Sequence, residues 1–71
     1  MKRLAIIGSG DLGRLIAFHA KNDHHYNVVG FFDDYAIINS NVDGYPILGK
    51  TTEVIDNFSK GNYDYLIIAI G

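Results

Sequence analysis

The chain has 71 residues, 48% of them hydrophobic and 20% charged, with eight glycines, no cysteine and a net charge of −2. That length allows one small domain, which buries only about 60% of the surface its unfolded form exposes and would be marginal alone. The mild negative charge argues against a nucleic-acid or anionic-membrane surface, and the missing cysteines exclude disulfides, cysteine redox chemistry and thiol catalysis.

Leu4-Ala5-Ile6-Ile7 is a short continuous apolar run, which suits a strand buried on both faces of a parallel sheet. Despite the basic Lys2-Arg3 start, it is too short for a signal-peptide core or a membrane span, and the chain reads as cytoplasmic. Gly8-Ser9-Gly10 ends it. From Asp11 to about Asn22, Leu12, Leu15, Ile16, His19 and Ala20 fall at helical spacing, with Asp11 as the expected N-cap. Asn22 to His25 reads as a polar turn. Asn27 to Phe32, rich in β-branched and aromatic residues, predicts a second strand that ends in Asp33-Asp34.

Residues 35–44 are polar and weakly periodic, so a loop is expected. Tyr45-Pro46-Ile47-Leu48-Gly49 is a short extended piece that its proline confines to a sheet edge. Thr51 and Thr52 are candidate caps of a second helix that would present Val54, Ile55 and Phe58 on one face and end at Gly61. Tyr63 to Ile70 predicts the third strand. The order β, α, β, loop, α, β implies an α/β Rossmann-like three-layer sandwich with a small parallel sheet and right-handed crossovers. The sheet is expected to be incomplete, because the chain stops on Gly71, right after its most hydrophobic strand.

Gly8-Ser9-Gly10-Asp11-Leu12-Gly13 fits the pattern G-x-G-x-x-G in the strand–turn–helix context that nucleotide binding requires. Gly8 would allow the tight turn, Gly10 would let a phosphate approach the backbone, and Gly13 would let the helix pack against the strand. The helix N-terminus then offers free N–H groups and the positive end of its dipole. Asp11 opposes this, because a carboxylate there repels a phosphate. Arg14, one turn on, either offsets that charge by reaching a phosphate oxygen or is a solvated helix arginine. Asp33 lies twenty residues after Gly13, about where a dinucleotide site places the acid that accepts the ribose hydroxyl. Asp33-Asp34 also suits the donor edge of a nucleobase, or is plain turn chemistry. His19, His24 and His25 lack metal spacing and read as surface residues. Tyr26, Tyr45, Tyr63 and Tyr65 read as packing residues with a boundary hydroxyl. No catalytic group is legible.

Four segments, in order, resemble a known family: Ala5-Ile6-Ile7-Gly8-Ser9-Gly10-Asp11-Leu12-Gly13-Arg14, Val29-Gly30-Phe31-Phe32-Asp33-Asp34, Val42-Asp43-Gly44-Tyr45-Pro46-Ile47-Leu48-Gly49 and Leu66-Ile67-Ile68-Ala69-Ile70-Gly71. Together they are similar to the N-terminal domain of the sugar O- or N-acetyltransferases of the PglD and NeuD type. The resemblance implies a Rossmann-like half that binds a nucleotide-activated sugar, often a UDP-4-amino sugar. Gly8, Ser9, Gly10 and Gly13 would shape the loop around the pyrophosphate, and Asp33 and Asp34 would meet the nucleoside. It further implies a second domain of hexapeptide repeats that binds acetyl-CoA as co-substrate, forms a homotrimer and carries the catalytic histidine. That histidine would serve as general base while the sugar's amino or hydroxyl group attacks the acetyl thioester. Where family members commonly have Gly-His, this chain has Asp11-Leu12, and Leu12 offers no polar contact. Two other functions stay open on the residues alone: an NAD-binding half of an oxidoreductase, from the Gly13–Asp33 spacing, and a non-enzymatic nucleotide-sensing or structural module.

Overall fold

The computed structural model describes residues 1–70; Gly71 lies outside them. Among the described residues, five strands and two helices follow one another: β1 (Arg3–Ile7), α1 (Asp11–His24), β2 (Asn27–Phe32), β3 (Asn41–Val42), β4 (Tyr45–Gly49), α2 (Val54–Ser59) and β5 (Tyr65–Ile68). A 3₁₀ turn, Thr51–Glu53, leads into α2. The sheet order is β3-β4-β2-β1-β5, parallel except for the antiparallel β3–β4 pair. From β1 the chain moves to one side through α1 to β2 and β4, then returns through α2 to β5 on the other side of β1.

Side chains alternate across each strand, so the two sheet faces build two clusters. Leu4 and Ile6 of β1 join Val28, Phe31 and Ile47 beneath Ala17 and Ala20 of α1. Ala5 joins Phe32 and Tyr63 on the opposite face, with Ile7, Val29, Leu48 and Val54 of α2 packed against them. Helices therefore cover both faces, and the Rossmann-like α/β class expected from the sequence is the one observed.

A bulge divides β2 between the two faces. Leu4 pairs with Val28, but Ala5 pairs with Gly30, so Val29 is the extra residue. The parity of the strand shifts there, which lets Val28 and Phe31, three apart, enter one cluster while Val29 and Phe32 enter the other. Gly30 takes φ +152°, and a Cβ on it would stand 2.5 Å from the Pro46 carbonyl oxygen and 2.8 Å from the Leu48 side chain.

Several expected boundaries and faces are corrected. Helix α1 continues through the expected turn to His24 and ends on His25 in the left-handed conformation. Its buried residues are Gly13, Ala17 and Ala20, whereas Leu12, Leu15 and His19 are exposed, with Ile16 half-buried. Small residues line the contact because the helix lies close to the sheet. Residues 41 and 42, expected as loop, form β3. Pro46 lies in β4 between β2 and β3 rather than at the sheet edge; β3 is only two residues long, so the missing N–H disturbs little pairing. Thr51 and Thr52 do not cap α2: they lie in the 3₁₀ turn, where the Lys50 N–H donates to the Glu53 carboxylate at 2.8 Å. Val54 packs inward and Phe58 meets the Tyr63 ring at 5.6 Å, but Ile55 is exposed. Lys60 is the C-cap of α2, followed by Gly61 at φ +76°. The third predicted strand begins two residues later than expected, at Tyr65, while Tyr63 is buried and donates its hydroxyl to the Val54 carbonyl at 2.7 Å.

Arg3 ties the start of β1 to the entry of β5. Its guanidinium donates to both carboxylate oxygens of Asp64, at 2.9 and 3.1 Å, and to the Gly61 carbonyl at 2.6 Å.

Gly30→Ala tests the bulge. The added methyl group meets backbone that cannot move without shifting β4, so urea denaturation should show a loss of about 2 kcal/mol or more. A loss below about 0.5 kcal/mol would mean that β2 does not need this geometry.

Candidate functional site

The C-terminal ends of β1, β2 and β5 open into a cleft of about 220 Å³, lined by Gly8, Gly10, Asp11, Leu12, Asp33, Asp34, Tyr35 and Thr51 over a floor of Ile7, Phe32, Ala69 and Ile70. Chain connections leave β1 in one direction and reach β5 from the other, and such a switch point is where open α/β sheets bind ligands.

Two glycines of the turn answer to distinct contacts, and the third faces open space. Gly8 takes φ +104°, and its Cβ would stand 2.5 Å from the Ala69 carbonyl oxygen. A Cβ on Gly13 would stand 1.9 Å from the Gly8 carbonyl oxygen, so α1 can lie where it does only with glycine there. Gly10 differs: it has extended backbone, and a Cβ on it would meet nothing within 4 Å.

Gly10, not Asp11, is the N-cap of α1, and no side chain caps the helix. The first intrahelical bond runs from the Arg14 N–H to the Gly10 carbonyl at 3.0 Å. The N–H groups of Asp11, Leu12 and Gly13 thus have no acceptor within the helix. Asp11 is corrected from cap to first helical residue, with its side chain fully in solvent. Arg14 donates to the Asp43 carboxylate at 3.0 Å and lies 3.5 Å from Asp11, which joins α1 to the β3–β4 hairpin.

The acidic pair after β2 is engaged from both sides. Asp33 Oδ2 accepts the Ser9 N–H at 2.9 Å and the Ser9 hydroxyl at 2.7 Å, and its Oδ1 accepts the Tyr35 N–H at 2.9 Å. Asp34 accepts the Thr51 N–H at 2.9 Å and its hydroxyl at 3.0 Å. The Ser9 hydroxyl, helped by the backbone N–H groups of Tyr35, Ser9 and Ala36, holds the Asp33 carboxyl below the usual carboxylate range against the opposing effect of partial burial.

All nine residues marked out in the sequence fall on the turn after β1, the first turn of α1 or the turn after β2. Six of them line the cleft; Gly13 is buried against the Gly8 carbonyl, Ser9 faces Asp33 and Arg14 faces Asp43. Tyr35 and Thr51 line it too. Tyr35 simply follows the acidic pair, and Thr51 carried the local signature of a helix cap. The chain matches the PglD N-terminal domain over residues 3–71.

It belongs to that family. No curated protein matches the chain. The PglD N-terminal domain is acetyltransferase-related, and in this member the position after Asp11 is the half-exposed Leu12, an apolar wall to the cleft. Among the described residues, no helix is long and apolar enough to cross a membrane.

The depressed Asp33 pKa fixes the sign of a pH effect. A carboxylate held below its unfolded value of about 3.9 stabilises the fold above that pH and loses the contribution as pH falls through the folded value. Asp64, held down by Arg3, adds an effect of the same sign. Melting temperature should therefore fall below about pH 4, and Asp33→Asn should remove part of that slope, read by circular dichroism between pH 5 and pH 2.5. An identical slope in the variant would show that the Ser9 bonds are not maintained.

Proposed function

We propose that this domain binds a nucleotide-activated sugar, most naturally a UDP-sugar, as the N-terminal module of a sugar O- or N-acetyltransferase that uses acetyl-CoA. The observation that carries the proposal is the open backbone at Gly10 beside an uncapped helix N-terminus in the switch-point cleft. Membership of the PglD N-terminal domain family supports the sugar-acetyltransferase context. The pyrophosphate would lie along Gly8, Ser9, Gly10 and Gly13, with the N–H groups of Asp11, Leu12 and Gly13 as donors. The nucleoside would meet the Asp33-Asp34 end. On this reading the acetyl-CoA site, the homotrimer contacts and the catalytic histidine belong to a separate β-helix domain, and the present residues bind and orient the acceptor sugar.

The turn supplies its own test, because its glycines separate fold from ligand. Gly10→Ala adds a methyl group into open space at compatible backbone angles, so stability should be unchanged or rise by up to about 1 kcal/mol. The same methyl group occupies the approach to the phosphates, so calorimetry should show UDP-sugar affinity at least about tenfold weaker, or about 1.4 kcal/mol. Gly13→Ala should instead lower the melting temperature. Wild-type stabilisation by a UDP-sugar but not by NAD in a thermal-shift series supports the proposal. Stabilisation by NAD alone, or a Gly10→Ala variant that binds as well as wild type, overturns it.

A further inference from the structure

Asp33 and Asp34 are neighbours in sequence, yet their oxygens are committed differently. A carboxylate offers about four acceptor positions. On Asp33, Oδ2 is filled by two donors from Ser9, and Oδ1 faces the backbone N–H of Tyr35, with that of Ala36 also directed at the group. The side chain is half-buried, and each of these donors comes from the protein's own turns. Asp34 is exposed on the cleft, and Thr51 is its partner. The Thr51 hydroxyl lies 3.0 Å from each Asp34 oxygen but has one hydrogen to give, so Asp34 keeps acceptor capacity toward the cleft.

Resting on the nucleotide-sugar reading above, we propose that Asp33 is a positioning residue that acts through Ser9 on the phosphate end of the site, and that Asp34 alone meets the nucleoside. Ser9 lies between Gly8, packed against the Ala69 carbonyl, and the open Gly10. With its N–H and its hydroxyl both drawn to Asp33, the Gly8–Ser9 peptide and the Ser9 side chain are fixed in orientation, and Gly10 follows directly on the cleft. The Ser9 N–H is then not a phosphate donor; that task passes to the amides at the start of α1. A donor such as a base imide N–H finds a receptive carboxylate at Asp34 and a saturated one at Asp33. Asparagine at position 33 cannot replace the carboxylate, because its amide nitrogen would face N–H donors on one side or the other.

The separation is measured with two probes on the full chain: UDP, which carries both ends of the ligand, by calorimetry, and uridine, which lacks the phosphates, by NMR titration. Asp33→Asn should weaken UDP about tenfold and uridine less than twofold. Asp34→Asn should weaken both by similar factors. Ser9→Ala with Asp33→Asn should be no weaker for UDP than Asp33→Asn alone, since both act through one contact. If Asp33→Asn does not fold, Ser9→Ala, which keeps the N–H bond to Asp33, carries the same comparison with a smaller UDP loss. Equal losses of UDP and uridine in Asp33→Asn, or no loss of either, overturn the division of roles while leaving nucleotide binding intact. A wild-type chain that binds neither probe overturns the nucleotide-sugar reading itself, and this inference with it.

Discussion

The approach of α1 to the end of β1 is the constraint from which the site follows. Where a side chain at position 13 would begin, the Gly8 carbonyl oxygen is only 1.9 Å away, so nothing larger than hydrogen fits. One turn and two turns further on, Ala17 and Ala20 keep the helix low over Leu4, Ile6 and Val28. A helix held this close begins immediately beside the strand it leaves. Its unpaired N–H groups and the positive end of its dipole therefore stand at the mouth of the β1–β5 crevice rather than in open solvent. Larger residues on that face would lift the helix and carry those groups away from the cleft.

The β2 bulge acts on the same site from the other side. Side chains alternate strictly along a strand, so one extra residue exchanges the faces of everything beyond it. With Val29 inserted, Phe31 enters the α1 cluster and Phe32 the α2 cluster. Asp33 follows directly, and its position lets it take the two Ser9 donors across from the end of β1. The Asp33 N–H is itself fixed to the Gly49 carbonyl at 3.0 Å, and the Gly8 N–H to the Phe32 carbonyl at 2.8 Å. The three turns at the C-terminal edge thus form one hydrogen-bonded unit whose parts lie far apart in sequence.

That distance explains what the sequence did and did not disclose. The glycine turn was legible because its signal is local: an apolar run, glycines at fixed spacing, then helical periodicity. Strand β2 was legible for the same reason. The buried face of α1 was legible only at Gly13 and Ala20, because apolar periodicity also favours Leu12 and Leu15, while close packing selects Gly13, Ala17 and Ala20 for smallness. Strand β3 has two residues, too few for any period. Thr51 reads locally as a cap, but its hydroxyl goes to Asp34, 17 residues away. The saturation of Asp33 lies equally beyond reach, since spacing from Gly13 marks where an acid stands and cannot show which donors already surround it.

Charge is where the site departs furthest from a simple anion trap. Its lining carries Asp11, Asp33 and Asp34, while Arg14 is drawn to Asp43 and Lys50 donates to the Asp34 carbonyl. The formal count overstates the repulsion that a phosphate would meet. The Asp11 side chain is fully solvated, and in water two unit charges interact by only about 1 kcal/mol even at about 4 Å. The Asp33 charge is spread over donors that its own turns supply. What remains near the first turn of α1 is a set of oriented N–H groups, fixed before any ligand arrives and lost only if the helix moves. On the nucleotide-sugar reading, a phosphate would be held by backbone geometry rather than by cationic side chains. That is why the glycines, and the serine–aspartate contact that orients them, matter more here than Arg14.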